Sequence, residues 1–457
     1  MAPTRSAFPA ANFTLRGVHL MNGAGEFGDA SDVAVSDGRI SAVGPGLPRD
    51  EAQDIDLAGV FIVPGIVDTH LHAVTHSFDG WEQLSTPYSY RIAETLSALR
   101  RTLRAGVTLV RDAGGLDAGV RDAVAAGLSD GPELQVSVVP LNRTGGHGDG
   151  FLPGVGWELP TDGMLPEYPG RPPHVADGPD EVRRVVRTIL RSGADWLKIM
   201  ATGGVLSAGG GSFPVEFTAE ELGTAIGEAT MRGTPSMVHA LGGEAIGVAV
   251  RAGARSIEHG IWLTESDAAL MASQGVTLVP TLGIYDFLAD RAAVPGALPE
   301  VARTRALDAG RQLGEAVRIA RAAGVPIALG TDFAHRDMHG GNLSEITHLV
   351  RAGLSLPEAL LAATANGAAL CGVGSVTGSL RPGFRFDAVL LDAEPTAADF
   401  SRPEIVTGVL QAGRVVRVHP RWPSRGRPPP GPESGGPPPP VSASPPPPTS
   451  AGTPEEG

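Results

Sequence analysis

The chain has 457 residues, of which 42% are hydrophobic and 19% charged, and its formal net charge is −14. That acidity argues against nucleic acid or an anionic membrane as a partner, and no apolar stretch reaches the ~18 residues of a membrane-spanning helix. A single cysteine, Cys371, excludes an internal disulfide and, with an N-terminus Met1-Ala2-Pro3-Thr4-Arg5-Ser6 lacking the apolar core of a signal peptide, predicts a cytoplasmic protein.

Three alternating segments, Phe13 to Leu20, Ser31 to Val35 and Arg39 to Val43, read as strands separated by Gly and Asp turns. The apolar run from Val60 then passes a Pro64-Gly65 turn signal into Val67-Asp68-Thr69-His70-Leu71-His72. On an extended backbone residues i and i+2 share a face, so the imidazoles of His70 and His72 can reach one point. Seven further strand-like runs follow, at 107–112, 134–140, 196–201, 235–240, 256–260, 276–282 and 326–332; with 60–68 they make eight, with helical patterns between most of them. The fourth run carries Lys198, the only lysine in the chain, every other basic side chain of this class being arginine. Arginine stays protonated, whereas a buried lysine can shed its proton and act as a nucleophile, so an amine is required at this place. The fifth and sixth runs close on His239 and His259, and the eighth on Asp332. Eight parallel strands with crossover helices suit a (β/α)8 TIM barrel, whose active site lies at the carboxyl ends of its strands.

His-x-His after the first run, Lys after the fourth, His after the fifth and sixth and Asp after the eighth together resemble the ligand pattern of the amidohydrolase superfamily of metal-dependent hydrolases. Lys198-Ile199-Met200-Ala201-Thr202-Gly203-Gly204, Gly145-Gly146-His147-Gly148-Asp149 and Ser256-Ile257-Glu258-His259-Gly260 are similar to its prolidase-like, imidazolonepropionase-related branch. The resemblance covers roughly residues 13 to 417. It implies two divalent metal ions, zinc by default for imidazole and carboxylate ligands. One metal would be held by His70, His72 and Asp332 and the other by His239 and His259. Between them would lie a carbamate formed on Lys198 by carbon dioxide. It further implies cleavage of a peptide or amide bond, in a dipeptide, Xaa-Pro or N-acyl amino acid, by a hydroxide bridging the metals, with Asp332 as general base and then general acid. Two alternatives are a single-metal cyclic amidohydrolase or deaminase of the imidazolonepropionase type, which has no need of Lys198, and a non-catalytic barrel scaffold, which would have no need of six filled ligand positions. The expected partner is a small molecule or dipeptide, and homo-oligomers are common in the superfamily.

After the third run, Asn142-Arg143-Thr144-Gly145-Gly146-His147 opens on the same face as the ligands, which makes His147 and Arg143 candidates for binding a substrate carboxylate. The glycine-rich segment from Gly203 to Gly211 is a candidate lid. His76, His335 and His339 match no ligand position. Near the other end, Asp387 to Leu391 and Val409 to Val418 again alternate like strands. Neither end can bury a core alone, so residues 1–63 and 371–419 are expected to pair into a small composite β-sandwich beside a barrel at 64–370. Residues 420–457, dominated by Pro, Gly and Ser with two four-proline runs, are expected to be a disordered tail.

Overall fold

The computed structural model describes residues 12–50, 53–152, 157–160, 168–205, 215–294 and 300–423. Most of the candidate lid, at 206–211, and the expected tail from 424 onward lie outside these described residues.

The architecture is mixed α/β, and seven of the eight expected runs contain strands that pair in parallel. Ile66–Leu71 pairs with Val107–Asp112 and that with Glu133–Val136. Leu197–Met200 pairs with Ser236–Gly242, which is followed by Ser256–Trp262 and Thr277–Val279. Single parallel bridges continue these groups from Leu141 to Ile199, from Leu278 to Ile327 and from Phe333 to Leu71. The eighth run, 326–332, is therefore not a regular strand; it is an extended connection that makes only the bridge at Ile327, the bridge at Phe333 lying one residue beyond it. Pro326 has no amide hydrogen to give a ladder, and Asp332 turns the backbone out of the sheet at φ +54°.

The parallel strands are buried on both faces, every residue of Ile66–Leu71 and Val107–Asp112 included, which is why they read as continuous runs. Helices cover the outside with apolar stripes. On Gly178–Arg191 the stripe is Val182, Val185, Val186, Ile189 and Leu190, spaced at helical intervals, and each such side chain contributes roughly 1.5–3 kcal/mol on burial. The helix Ala219–Met231 starts at a capping box in which Thr218 and Glu221 each accept from the other's amide. Among the described residues no helix is long and apolar enough to cross a membrane.

The run read as 60–68 is divided. Phe61–Pro64 belongs to a second sheet and Ile66–Leu71 to the parallel strands, with Gly65 at the break. A β-carbon on Gly65 would stand 2.2 Å from Thr108 Oγ1, so only glycine passes there. The second sheet joins the two ends of the chain. The segments expected as a β-sandwich form one continuous eight-stranded mixed sheet. Phe13–Met21 pairs antiparallel with Phe27–Ser36 and parallel with Asp54–Asp56 and Phe61–Pro64, and the last of these pairs with Ala388–Leu391. Arg39–Gly44 pairs antiparallel with Phe27–Ser36 at one edge, and Gly408–Gln411 and Arg414–Arg417 complete the sheet at the other as a hairpin turning at Ala412 and Gly413, both at positive φ. Its core, with Leu15, Val33, Ile40, Ile62, Phe386 and Leu390, is separate from that of the parallel strands. Trp422, assigned to the tail by composition, is buried in this core and stands edge-on to Phe13 at 5.4 Å.

Candidate metal centre

Three of the sequence-selected ligands meet at one oxygen. His70 Nε2 lies 3.3 Å and His72 Nε2 3.2 Å from Asp332 Oδ1. The strand Ile66–Leu71 carries His70, with His72 the residue immediately after it, and Asp332 is held beside them because its amide donates to the His70 carbonyl at 2.6 Å. His259 joins them, since nitrogen or oxygen atoms of His70, His259 and Asp332 lie within 4.8 Å of one another. His239 stands edge-on to His259, ring centroids 4.6 Å apart. His259 and Asp332 both adopt left-handed backbone, at φ +70° and +54°, a conformation that costs free energy in non-glycine residues and clusters at functional sites.

Remote contacts aim the rings. His72 Nδ1 faces the Gly114 carbonyl at 3.0 Å, His259 Nδ1 the Thr281 hydroxyl at 2.7 Å and His70 Nδ1 the Glu258 carboxylate at 2.6 Å, leaving the Nε2 atoms for the centre. Asp68 ties the first strand to the eighth segment, accepting from the amides of His70 and Thr331, the Thr331 hydroxyl and the Asn342 amide group.

The donor set fits a divalent cation. His70 Nε2 is sealed from solvent and makes no hydrogen bond, a costly state for a buried imidazole unless the nitrogen and the neighbouring carboxylate face a shared positive charge. Burial holds His239 and His259 well below the ordinary imidazole range. Burial alone would push Asp332 up, but the adjacent His70 and His72 keep it well below the usual carboxylate range. Neutral imidazoles and an ionised carboxylate are the forms that bind metal.

Lys198 is 1% exposed, and its amine makes no hydrogen bond or ion pair with the described residues. Burial lowers its pKa to about 8 against the opposing pull of Glu258 and Asp332. Its charge acts on His72, His147, His239 and His259, so it belongs to the same cluster.

Of the two candidates for substrate binding, His147 reaches the centre and Arg143 stays at its rim. The His147 ring stacks on His239 at 4.7 Å, and its amide donates to Glu216 Oε1 at 2.6 Å. Burial lowers its pKa to about 4, so it is neutral at pH 7. Arg143 is exposed, with Nε on the Thr144 carbonyl and Nη1 3.5 Å from that of Glu216. His76, His335 and His339 stay outside the ligand cluster among the described residues.

Sequence reasoning passed over Glu258, Thr281, Glu216 and Tyr285. A carboxylate inside the apolar run Ser256-Ile257-Glu258 was a usable signal. Nothing local marks the others. Tyr285, 4% exposed on the helix Leu282–Ala293, stands edge-on to His259 at 5.6 Å, a contact made across the fold.

Known proteins resemble the chain over most of its length. The amidohydrolase family model matches residues 61–418. Ochratoxinase of Aspergillus niger is 33% identical over 374 residues, 78% of this chain and 75% of its own. The crystal structure of a Xaa-Pro dipeptidase with bound methionine superposes with a TM-score of 0.79 at 28% identity, covering 89% of this chain and 99% of that one. A prolidase complexed with N-methylphosphonate-L-proline gives 0.79 at 31% identity, over 89% and 100% of the two chains. The chain therefore belongs to the amidohydrolase family and is a hydrolase of amide-type carbon–nitrogen bonds.

Proposed function

We propose that this chain is a binuclear metal-dependent peptidase or acylase, cleaving a dipeptide, Xaa-Pro among them, or an N-acyl amino acid at the mouth of a closed (β/α)8 barrel spanning 64–370. The observation that carries the reading is the sole lysine of the sequence, buried, without a hydrogen bond or ion pair among the described residues, beside converging His70, His259 and Asp332. His70, His72 and Asp332 would hold one zinc ion and His239 and His259 the other. A carbamate on Lys198 would be shared. Its formation needs the neutral amine, which adds to carbon dioxide to make one N–C bond and releases one proton; burial favours that neutral form. The two ions, when bound, supply Lewis acidity toward the scissile carbonyl and lower the pKa of the attacking water. Asp332 takes the proton of that water and passes it to the leaving nitrogen, a role suited to a carboxylate held ionised by its neighbours. His147, neutral, would donate a hydrogen bond to a substrate carboxylate, and Arg143 would supply the opposite charge. The similar structures holding methionine and a prolyl phosphonate support a substrate that ends in a free amino acid carboxylate.

The test uses full-length protein grown with zinc and bicarbonate, a panel of Xaa-Pro, Xaa-Arg and N-acyl amino acid substrates, and metal analysis. Two metals per chain and hydrolysis of one substrate group are expected, with both lost in Lys198→Arg, which keeps the charge and cannot form the carbamate. Silence across the panel would overturn the peptide reading. Two metals and full turnover in Lys198→Arg would overturn the carbamate.

A further inference from the structure

Among the described residues, the bulkiest side chain completely sealed from solvent is a charged one, Arg111 in the strand Val107–Asp112. Arginine is almost never fully buried unless it is paired, and here the pairing is extensive. Its Nε donates to the Thr69 carbonyl at 2.5 Å and Nη1 to the Ser256 hydroxyl at 3.0 Å. Nη2 reaches both oxygens of Glu258, at 3.0 and 3.1 Å, and the guanidinium lies 4.4 Å over the Trp196 ring. Ser256 donates its hydroxyl to Glu258 Oε1, so that oxygen is fully committed. The other, Oε2, faces His70 Nδ1 at 2.6 Å. The sequence of contacts thus runs from Arg111 through Glu258 to His70, whose free Nε2 points at Asp332.

Stability does not account for this arrangement. A buried ion pair loses about as much in desolvation as it regains by attraction, and apolar replacements of similar volume are often as stable or more so. What the pair does accomplish is directional. A carboxylate pinned by Arg111 and Ser256 can only accept at Oε2, which fixes the His70 proton on Nδ1 and leaves the lone pair on Nε2. We propose that Arg111 is a positioning residue for His70, acting through Glu258 to hold the imidazole in the tautomer and orientation that bind metal. Both side chains of this relay, Arg111 and Glu258, are sealed from solvent. The inference rests on the reading of His70 as a metal ligand.

The experiment uses the full chain and three variants, Glu258→Gln, Arg111→Met and Arg111→Lys. Zinc affinity is measured by competition with a chromophoric chelator, and the tautomer of His70 by long-range nitrogen–proton NMR of metal-free, histidine-labelled protein. His70 in the parent protein is expected as the Nδ1–H tautomer. Glu258→Gln and Arg111→Met should each weaken zinc by roughly 10- to 100-fold, the usual effect of removing a partner of a metal-bound histidine. A fourth variant combining Glu258→Gln with Arg111→Met should be no weaker than the worse single one, because both act through one bond. Arg111→Lys, which keeps the charge, should recover part of the affinity. Unchanged zinc affinity and an unchanged tautomer in folded Glu258→Gln would overturn the proposal. If Arg111→Met does not fold, the order parent, Arg111→Lys, Glu258→Gln in zinc affinity decides the matter, and any other order overturns it. A parent protein that binds no zinc would sink the metal reading, and the tautomer in Glu258→Gln would still decide the positioning role: a shift supports it and no shift overturns it.

Discussion

At the scale of single residues, the candidate ligands were selected because each is a chemically costly type in or at the end of an apolar run. Lys198 stood out by being alone, His70 and His72 by their spacing, and Asp332 by closing a run otherwise without charge. Thr281 and Glu216 were not legible, because what makes them matter is a partner brought from another loop: Thr281 meets His259, and Glu216 meets the His147 amide. Two predictions belong here. Asp332→Asn should lower kcat by roughly 10² to 10⁴, the range for losing a positioned general acid or base. Retained metal with an unchanged kcat would reduce Asp332 to a ligand only. Arg143→Ala should raise KM about 10- to 100-fold for substrates with a free carboxylate, equivalent to losing one charged hydrogen bond. The same variant should leave KM for the corresponding amides unmoved, and steady-state kinetics on the matched pair separates the two cases.

At the scale of elements, strands one to seven could be read from hydrophobic runs, but the eighth could not be distinguished from an extended connection, because a Pro and a left-handed Asp leave its side-chain pattern intact while removing its ladder. Gly330 shows how close that connection runs. A β-carbon there would lie 2.4 Å from Val279 Cγ1 and 2.8 Å from His70 Cβ. Gly330→Ala should therefore push His70 off its position, destabilising the protein by about 1–3 kcal/mol and lowering its zinc content, as thermal unfolding and metal analysis would read. The helix carrying Tyr285 is gripped at its first turn by Glu345, 1% exposed, which accepts from the amides of Leu282 and Gly283 at 2.6 and 2.9 Å. Burial raises the pKa of this carboxyl from 4.5 to about 7. A carboxyl so raised binds its proton more tightly in the folded state, so its contribution is complete below about pH 4.5 and is lost as pH rises through about 7, a difference of about 3 kcal/mol. Denaturant titrations of the metal-free protein at pH 5 and 7.5 should show that loss, and Glu345→Gln should flatten it.

At the scale of the whole molecule, the pairing of the chain ends was legible from two alternating patterns too short to stand alone, whereas their union in one sheet was not, since register and strand order are set by contacts hundreds of residues apart. The position of Trp422 was missed for a related reason: composition averages over a window, and one aromatic inside a proline-rich stretch is averaged away. Trp422→Ala should cost about 3 kcal/mol by emptying the space against Phe13, lowering the melting temperature without changing zinc affinity. The division of one run at Gly65 carries a consequence for biosynthesis. Phe61–Pro64 leaves the ribosome early, but its partner Ala388–Leu391 is made more than 300 residues later, tens of seconds at about 5–20 residues per second. Throughout that interval an apolar strand edge waits unpaired, one residue upstream of the segment that carries His70. Nascent chains stalled before residue 388 should therefore recruit holdase chaperones at this edge, and release should follow once the last hairpin emerges.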